Sequence, residues 1–456
     1  MKQGFLISAL GSGRGKTMIT LGLIRAFQKR GKKVSCFKTG PDYIDTMYHT
    51  RVAGEDCVNL DPYFLEPDYR PGALQALFLR NSQDFSIVEG AMGLFDGIYG
   101  EGCRASANTV AMELGLPTVL VVLPEEVEKL PFYLKTFPHR VQAFLLNKDQ
   151  SRSCGEDAFL QDLAKRLGLV YLGSIPHVPE LAAGSRHLGL VPPEKDLMEK
   201  VEKMGELANS CLNLKWLEKR SILPSLHREH IPSPIGTPEK RFRLAFARDE
   251  AFSFTYAENL RVLEEYGFEL CWFSPLQDQT LPKNLDALWL CGGYPELYAG
   301  EIAKNISLRQ DIQRAAREGL PIIGECGGFM ALLEEIEDPD GNAFPGFGIL
   351  PGRAFVTPRL VRFGYIHVEA KEDTLLLKKG QSFRSHEFHY WDSTQNGEAC
   401  IARKANGSRS WSCVAAGNHI FAGFPHIYLR GHEFIVENLI QAIQIRKGEK
   451  CTKDQY

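Results

Sequence analysis

The chain has 456 residues, of which 53 are lysine or arginine and 56 are aspartate or glutamate, so its formal net charge is only −3. This length predicts two or three domains, since a domain usually contains about 100 to 200 residues. The charge balance lacks the basic excess of nucleic-acid-binding proteins, and we therefore expect no nucleic-acid partner.

The cysteines and the apolar runs of the sequence indicate the cellular compartment of the protein. None of the 11 cysteines forms a C-x-x-C pair, so the sequence indicates neither a zinc site nor a disulfide framework and favours a reducing cytoplasm. No apolar run approaches the roughly 18 residues of a membrane span. The N-terminal apolar run, 5–10, is too short for a signal peptide. We expect a cytoplasmic protein with no membrane partner.

The N-terminal region has the pattern of a strand, a glycine-rich loop and a helix. The apolar residues 5–9 are followed by a loop with three glycines and by the helical pattern of 18–27. Backbone amides of such a loop bind phosphate groups together with the helix N-terminus, while the lysine reaches the outer phosphates and the threonine binds Mg²⁺. The candidate phosphate-binding residues are Gly11, Ser12, Gly13, Arg14, Gly15, Lys16 and Thr17.

One position departs from the strict phosphate-loop pattern. Leu10 stands six residues before Lys16, where that pattern has glycine. The alternative interpretation is a glycine-rich turn with an incidental lysine. We favour a phosphate loop, because the strand, the loop and the helix occur in the expected order.

Acidic residues follow two predicted strands close to this loop. Asp42, Tyr43 and Asp45 lie in a Gly-Pro turn after the second strand, and Glu89 ends the third. Loops after the carboxyl ends of parallel strands line the ligand crevice of such sheets. Since Mg²⁺ needs oxygen ligands besides phosphates and a threonine, Glu89 is the candidate metal ligand. The alternative for Asp42, Tyr43 and Asp45 is a solvated polar turn. The alternative for Glu89 is a carboxylate that caps the glycine-rich loop after its strand.

Apolar and helical segments alternate along the chain, which is typical of a mostly parallel, doubly wound sheet. A proline-rich polar stretch, 221–240, is predicted to be a linker between an N-terminal domain, 1–220, and a C-terminal domain, 241–450. The loop 185–190 carries an Arg-His pair, which is weak evidence by itself. The predicted strands after the first are 32–38, 85–89, 118–123, 141–146, 169–172, 242–247, 268–273, 287–290 and 321–324.

One cysteine of the C-terminal domain lies in a different setting from the others. Cys326 stands in a glycine-rich turn between a strand and a helix, an elbow arrangement that exposes a nucleophile. The helix N-terminus favours a thiolate, and the backbone N–H of Gly327 can face an oxyanion. Gly293, in the glycine pair after the strand 287–290, is the candidate for the second oxyanion donor. The alternative is a buried and inert cysteine.

A thiol nucleophile also needs a base, and the sequence offers several histidines. Partners in such sites are close in space rather than along the chain, so spacing does not choose among them. The candidates are His386, His389, His419, His426 and His432.

Several motifs occur together in one order. They are the phosphate loop, Phe-Lys-x-Gly-Pro-Asp-Tyr-Ile-Asp at 37–45, Val-Glu-Gly with Met-Gly-Leu-Phe-Asp-Gly at 88–97, the loop 185–190, Ala-Arg-Asp-Glu-Ala-Phe at 247–252, Gly-Gly-Tyr-Pro-Glu at 292–296, Glu-Cys-Gly-Gly at 325–328 and His-Glu-Phe-His-Tyr at 386–390. This ordered set covers nearly the whole chain and closely resembles the cobyrinate a,c-diamide synthase family, the glutamine-dependent amidotransferases of corrinoid synthesis. Each motif alone is widely shared, but the ordered set is specific.

The resemblance implies an α/β fold with two domains. The N-terminal domain is expected to be a dethiobiotin-synthetase-like phosphate-loop domain that binds ATP and Mg²⁺, with the glycine-rich loop and Lys16 on ATP. The metal is expected at Thr17 and Glu89, with Asp42 as a further ligand. The tetrapyrrole carboxylates are expected to react near Asp42, Tyr43, Asp45 and Asp96.

The C-terminal domain is expected, by the same resemblance, to be a class I glutamine amidotransferase. Cys326 matches its nucleophile, and His426 matches the first histidine of a late motif and is expected to be the base. Tyr428 stands where that motif has a second histidine. No carboxylate stands two residues after His426 to complete a triad, so what orients this imidazole is left open.

The implied activity is the ATP- and glutamine-dependent amidation of cobyrinate. ATP would activate a side-chain carboxylate, and glutamine would supply ammonia. Related enzymes amidate hydrogenobyrinate or a nickel-sirohydrochlorin, and the motifs do not distinguish these rings. An alternative from another functional class is a nucleotide-switched binding protein of the partitioning type, whose second domain docks a partner. Leu10 and the absence of an acid two residues after His426 favour this alternative. The glycine-rich elbow at Cys326 counts against it.

Overall fold

A computed structural model describes residues 3–65, 72–149, 158–181, 196–222, 241–417 and 419–448. The chain divides into two compact units, 1–231 and 232–456, which are described separately. The loop 185–190 lies outside the described residues, and so does the predicted linker except for Ser221 and Ile222, which pair with the first strand. The domain boundaries proposed from the sequence therefore stay a prediction.

The first unit is built on a parallel sheet. Its strands are β1 (Gln3–Ala9), β2 (Val34–Thr39), β3 (Val58–Leu60), β4 (Phe85–Glu89), β5 (Thr118–Val122), β6 (Val141–Asp149) and β7 (Val170–Pro176). Its helices are α1 (Lys16–Lys29), α2 (Ile44–Ala53), α3 (Ala73–Asn81), α4 (Ala107–Leu114), α5 (Leu130–Tyr133), α6 (Ala158–Arg166), α7 (Leu197–Cys211) and α8 (Leu214–Arg220). The strand order is β3-β2-β4-β1-β5-β6-β7, and every neighbouring pair is parallel.

The core of this unit fixes the two elements that flank the glycine-rich loop. Parallel strands are buried on both faces, and β1 is accordingly buried from its second residue onward and β5 along its whole length. The rings of Phe27, on α1, and Phe85, on β4, stack with their centroids 4.2 Å apart, and Phe5 packs edge-on against Phe85. The strand before the loop and the helix after it therefore pack against one another through buried aromatic rings.

The strands predicted for this unit all occur, with ends shifted by a few residues. Sequence analysis does not predict β3, because three residues are too few to give an apolar pattern. Pairing with β2, in the register Phe37 opposite Val58, holds this short strand at the edge of the sheet.

The second unit combines a mostly parallel sheet with two antiparallel sheets and one mixed sheet. Its helices are α9 (Ala257–Glu265), α10 (Ala299–Lys304), α11 (Ile306–Arg317), α12 (Gly327–Leu332) and α13 (Phe434–Lys447). Its strands are β8 (Phe242–Ala247), β9 (Phe252–Phe254), β10 (Phe268–Phe273), β11 (Ala287–Leu290), β12 (Gly292–Gly293), β13 (Ile322–Glu325), β14 (Leu333–Glu337), β15 (Ala343–Pro345), β16 (Leu350–Val356), β17 (Arg362–Ala370), β18 (Ser382–His389), β19 (Trp391–Ser393), β20 (Cys400–Lys404), β21 (Ser410–Cys413), β22 (Ala415–Gly417), β23 (Ile420–Gly423) and β24 (His426–Ile427).

The central sheet of this unit has the order β10-β8-β11-β13-β23-β22, parallel except for its last pair. It contains the four strands that the sequence predicts here. The mixed sheet has the order β15-β14-β16-β19. The five-stranded antiparallel sheet β21-β20-β17-β18-β24 is not predicted, because its strands are half-buried and their apolar alternation is irregular. This antiparallel sheet nevertheless positions candidate catalytic side chains, since β18 and β24 carry histidines.

Two further expectations concern membranes and cysteines. Within the described part of the chain, no helix is long and apolar enough to cross a membrane. Eight of the described cysteines, Cys326 among them, are not in disulfides. Cys211 is disulfide-bonded, although the sequence indicates no disulfide framework.

Candidate active sites

The glycine-rich loop turns tightly between β1 and α1. Gly13 and Gly15 have φ angles of +74° and +78°, in the left-handed region that favours glycine. A Cβ atom at Gly15 would lie 2.3 Å from Asn147 Nδ2. That amide donates a hydrogen bond of 2.8 Å to the carbonyl oxygen of Arg14. Asn147, which sequence analysis does not single out, therefore holds the loop in place from β6.

Lys16 is folded back over this loop. Its Nζ donates hydrogen bonds to the carbonyl oxygens of Gly11 and Met92, at 3.0 and 2.5 Å. Burial, followed by the charge of Lys38, lowers the pKa of Lys16 to about 8. An incoming phosphate group offers this ammonium a stronger acceptor than the two carbonyl oxygens.

The low pKa of Lys16 leads to a testable pH dependence. Below about pH 8 the amine is charged and attracts phosphate, whereas above it the free amine dominates. We expect the Kd for a non-hydrolysable ATP analogue, measured calorimetrically at constant free Mg²⁺, to rise about tenfold per pH unit above pH 8. Lys16→Arg keeps its charge and should lack this slope. A wild-type affinity that stays constant up to about pH 9.5 would contradict the expectation.

Carboxylates converge near Thr17, at the carboxyl ends of β2 and β4. Glu89 is fully buried, and its Oε1 accepts hydrogen bonds from Thr17 Oγ1 at 3.1 Å and from Lys38 Nζ at 2.8 Å. Its Oε2 lies 2.8 Å from His49 Nε2. Burial alone would raise the pKa of Glu89, but Lys38 and His49 hold it well below its ordinary value. The carboxylate is therefore ionised at neutral pH.

The other predicted acids are placed around the same lysine or near the loop. Lys38 Nζ lies 2.6 Å from Asp45 Oδ2 and 3.8 Å from Asp42 Oδ2. Burial and the neighbouring Asp45 raise the pKa of Asp42 to about 6. Tyr43 is buried beside them. Asp96 is exposed, accepts a hydrogen bond from Gly93 N at 2.7 Å, and acts electrostatically on Lys16.

Sequence analysis misses Lys38 and His49. Lys38 lies inside the predicted strand, where a buried lysine stands out only once the neighbouring carboxylates are known. His49 lies on α2, one turn after Asp45, so helical spacing alone gives only a weak signal. Together they supply the positive charge that balances Glu89 and Asp45.

The donor set near Thr17 fits Mg²⁺. A hydroxyl and an ionised carboxylate in mutual contact are hard oxygen ligands. No group of three or more His, Cys, Asp or Glu side chains able to hold a metal occurs among the described residues. Mg²⁺ usually takes one or two carboxylates from the protein and completes its shell with phosphate oxygens and water.

Cys326 lies at a strained elbow between β13 and α12. Its φ angle is +50°, which is rare for a residue other than glycine. The glycines around it permit close packing, since a Cβ at Gly328 would lie 2.0 Å from the carbonyl oxygen of Leu290 and one at Gly324 would lie 2.5 Å from Leu332 Cδ1. The structure therefore has the elbow that the sequence predicts.

His426 is the imidazole beside this thiol. It is hydrogen-bonded to Cys326, and its Nδ1 lies 2.8 Å from Glu325 Oε1. Burial alone would lower the pKa of His426, but Cys326 and Glu325 raise it to about 10. Glu325 is not predicted from the sequence, because the expected position of the acid, two residues after His426, is occupied by Tyr428.

Two other candidate bases, His386 and His389, lie near His426 and contact other groups. His386, on β18, stands directly opposite His426 in the antiparallel ladder, and burial together with the charge of His426 holds its pKa well below the ordinary value. His389 stacks on Phe424 and donates from Nδ1 to the carbonyl oxygen of Trp391 at 2.6 Å.

The remaining two histidines lie elsewhere in the unit. His432 donates from Nδ1 to the carbonyl oxygen of Tyr428 and accepts at Nε2 from Arg384 N, at 3.0 and 3.1 Å. The carbonyl oxygen of His419 accepts from Ile322 N, at the end of β13 opposite Cys326. The structure thus brings His426 to the predicted nucleophile.

The two predicted oxyanion donors are neighbours. A Cβ at Gly327 would lie 2.9 Å from Gly293 N. Gly293 has a φ angle of +156° and a backbone so close to Ala251 that its own Cβ would lie 2.0 Å from the carbonyl oxygen of that residue. Both glycines can therefore bring backbone amides to the region of the elbow.

Gly292 keeps space for the ring of His426. A Cβ at this position would lie 2.9 Å from His426 Cε1 and 3.1 Å from Phe254 Cβ. We expect Gly292→Ala to displace the imidazole and reduce the kcat of glutamine hydrolysis on the order of tenfold or more. Gly300→Ala is the matched control, because its Cβ would meet the Phe344 ring at an ordinary 3.6 Å. An equal kcat of glutamine hydrolysis in both variants would show that the reaction does not depend on the position of the His426 ring.

Two family models match the chain. The model described as "CobQ/CobB/MinD/ParA nucleotide binding domain" matches residues 5–191, and the model described as "CobB/CobQ-like glutamine amidotransferase domain" matches residues 243–434. Proteins named cobyrinate a,c-diamide synthase from Caldanaerobacter subterraneus, Synechococcus and Salmonella typhimurium are 34%, 33% and 34% identical to it. The matches cover 93%, 96% and 96% of this chain and 95%, 98% and 97% of those proteins. The chain belongs to the cobyrinate a,c-diamide synthase family.

Membership in the cobyrinate a,c-diamide synthase family confirms the resemblance on which the sequence analysis relies. With the two family models, it also confirms the α/β fold class of a phosphate-loop domain followed by a glutamine amidotransferase domain. The predicted class of enzyme, a glutamine-dependent ligase, is confirmed as well. The roles of individual residues stay predictions, for which the structure supplies positions and contacts.

Proposed function

We propose that this chain uses ATP and glutamine to convert the a- and c-side-chain carboxylates of cobyrinate into amides. The observation that carries the proposal is that one chain combines a phosphate loop, next to the Thr17–Glu89 pair, with a thiol–imidazole pair at an elbow. The relatives' name indicates cobyrinate as the substrate. The use of ATP and the need for a reduced thiol nucleophile support a cytoplasmic location for this activity.

The first unit would activate the acid. A carboxylate is a poor electrophile, so one of its oxygens attacks the γ-phosphorus of ATP, ADP leaves, and an acyl phosphate forms. The backbone of residues 11–15 and Lys16 would hold the phosphates, and the ammonium stabilises charge on the transferred group. Thr17 and Glu89, with Asp42 as a further ligand, would hold Mg²⁺, which neutralises phosphate charge when bound. Asp45, Tyr43 and Asp96 would contact the substrate side of the site.

The second unit would release ammonia from glutamine. The Cys326 thiolate attacks the side-chain amide, and the resulting oxyanion is stabilised by the backbone N–H groups of Gly293 and Gly327. The imidazolium of His426 then protonates the leaving nitrogen, so that ammonia departs and a thioester remains. Water hydrolyses the thioester to glutamate. Ammonia attacks the acyl phosphate, and phosphate leaves as the amide forms.

Isotope transfer tests the activation step. Cobyrinate labelled with ¹⁸O in its carboxylates should yield inorganic phosphate that contains one ¹⁸O atom per amide formed, because the oxygen that accepts the phosphoryl group departs with phosphate. Mass spectrometry of the phosphate measures this ratio. Unlabelled phosphate would contradict an acyl phosphate intermediate.

A comparison of substrates tests the choice of ring. Cobyrinate, hydrogenobyrinate and nickel-sirohydrochlorin are each supplied with ATP and glutamine, and we expect the highest kcat/KM with cobyrinate. A higher value for either other ring would keep the chemistry and change the substrate. Absence of glutamate formation with every ring would instead support a nucleotide-switched binding protein.

A further inference from the structure

The acid that contacts His426 comes from an unexpected position in the chain. Glu325 Oε1 lies 2.8 Å from His426 Nδ1, and the two side chains are only 3% and 2% exposed. The residue two positions after His426 is Tyr428, which cannot serve as a carboxylate. Glu325 therefore contacts the imidazole from the residue that immediately precedes the nucleophile.

The elbow explains how two consecutive residues reach one ring. Consecutive side chains of a strand point to opposite faces, so Glu325 and Cys326 would diverge if β13 continued. The chain instead leaves the strand at Cys326, with its φ angle of +50°, and both side chains contact His426. Since Nδ1 is engaged by Glu325, Nε2 is the ring nitrogen left for the thiol.

The contact also has an electrostatic consequence. Transfer of a proton from Cys326 to His426 creates an imidazolium inside a buried site, where an unbalanced charge is costly. Glu325 supplies the opposite charge at hydrogen-bond distance. An acid in this position holds the imidazole in one tautomer and stabilises its protonated form.

We propose that Glu325 is the positioning residue of the glutamine-hydrolysing site, holding His426 with Nδ1 protonated and Nε2 directed at Cys326. This inference rests on the proposed function, because it assumes that the Cys326–His426 pair attacks glutamine. It goes further in assigning the acidic role to the residue before the nucleophile. An ion pair that only stabilised the fold would leave the kcat of glutamine hydrolysis unchanged in a Glu325 variant that remains folded.

Glu325→Gln removes the negative charge of the side chain but keeps its size and shape. We expect the kcat of glutamine hydrolysis to fall on the order of 10²-fold, with the KM for glutamine within about threefold of the wild-type value. Amidation driven by ammonium should continue at the wild-type rate. The matched control is Glu337→Gln, which neutralises another hydrogen-bonded carboxylate of this unit, bound to Val356 N at 3.1 Å; it should hydrolyse glutamine normally.

The pH profile of alkylation tests whether Glu325 stabilises the imidazolium of His426 beside the thiol. In the wild-type protein His426 stays protonated up to about pH 10, so the rate at which iodoacetamide modifies Cys326, followed by peptide mass spectrometry, should vary little between about pH 6.5 and pH 9. In Glu325→Gln the pKa of His426 falls. The rate should then be lower at neutral pH and rise steeply with pH.

Several outcomes would overturn the proposal. A folded Glu325→Gln protein with the wild-type kcat does so, and so does one with a lower kcat but an unchanged alkylation profile. If this variant does not fold, ¹⁵N-histidine spectra of the wild-type protein decide, because Nδ1 of His426 should stay protonated across the same pH range and its deprotonation there contradicts the proposal. A wild-type protein that hydrolyses no glutamine would contradict the proposed function instead.

Discussion

Replacing Cys326 by alanine is expected to abolish amidation supported by glutamine while leaving amidation supported by ammonium chloride at the wild-type rate. The thiol is the atom that would displace ammonia from glutamine, and loss of a nucleophile costs on the order of 10⁴-fold or more in kcat. Ammonium salts supply free ammonia without that step, and the activation of the carboxylate depends on the first unit alone. The measurement is amide formation with each nitrogen source at saturating ATP and tetrapyrrole.

Cys271→Ala is the control for this experiment. Cys271 is also a buried cysteine of the second unit, on β10 at the edge of the central sheet, and its loss should change neither reaction. If Cys326→Ala lost both reactions equally while remaining folded, Cys326 would not be a dedicated glutaminase residue. Full retention of glutamine-supported amidation by Cys326→Ala would contradict the assignment of Cys326 as the nucleophile.

Replacing Lys16 by alanine is expected to reduce amidation with both nitrogen sources. The ammonium would stabilise the transferred phosphoryl group, and removal of one such donor typically costs on the order of 10²- to 10³-fold in kcat. Because glutamine hydrolysis uses other residues, alkylation of Cys326 should proceed at the wild-type rate in this variant. Rates of ADP formation and amide formation, compared for the two nitrogen sources, measure the effect.

Lys29→Ala is the matched control on the same helix. Lys29 forms surface ion pairs with Glu202 and Glu206, and such exposed pairs contribute little to stability. This variant should amidate like the wild-type protein. Full activity of Lys16→Ala would contradict the assignment of a phosphate loop.

Local patterns predict the elements that carry the two sites. The apolar run of β1, the glycines before Lys16 and the glycine-rich turn at Cys326 depend on residues adjacent along the chain. The structure has the corresponding strand, loop and elbow. The antiparallel sheet that contains β18 and β24 is not predicted, because its strands are stabilised by pairing between distant segments rather than by a strong pattern of their own.

The contacts between distant residues mark the limit of the sequence analysis. Lys38 is read as part of a strand, yet its amine lies between Asp45 and Glu89. Glu325 is adjacent to Cys326 and 101 positions from His426, and only the turn at Cys326 brings its carboxylate to the imidazole. Spacing along the chain leaves open which of five histidines serves the thiol, and only the family resemblance favours His426. In the structure, pairing of β24 with β18 and the elbow at β13 bring His426 to the thiol.

The central claim is that this chain transfers nitrogen from glutamine to cobyrinate at the expense of ATP. Incubation with glutamine labelled by ¹⁵N in its side-chain amide, followed by mass spectrometry of the tetrapyrrole, tests it most directly. We expect two ¹⁵N atoms in each cobyrinate a,c-diamide, with one ADP and one glutamate formed per amide. Formation of ADP and glutamate without labelled amide would contradict it.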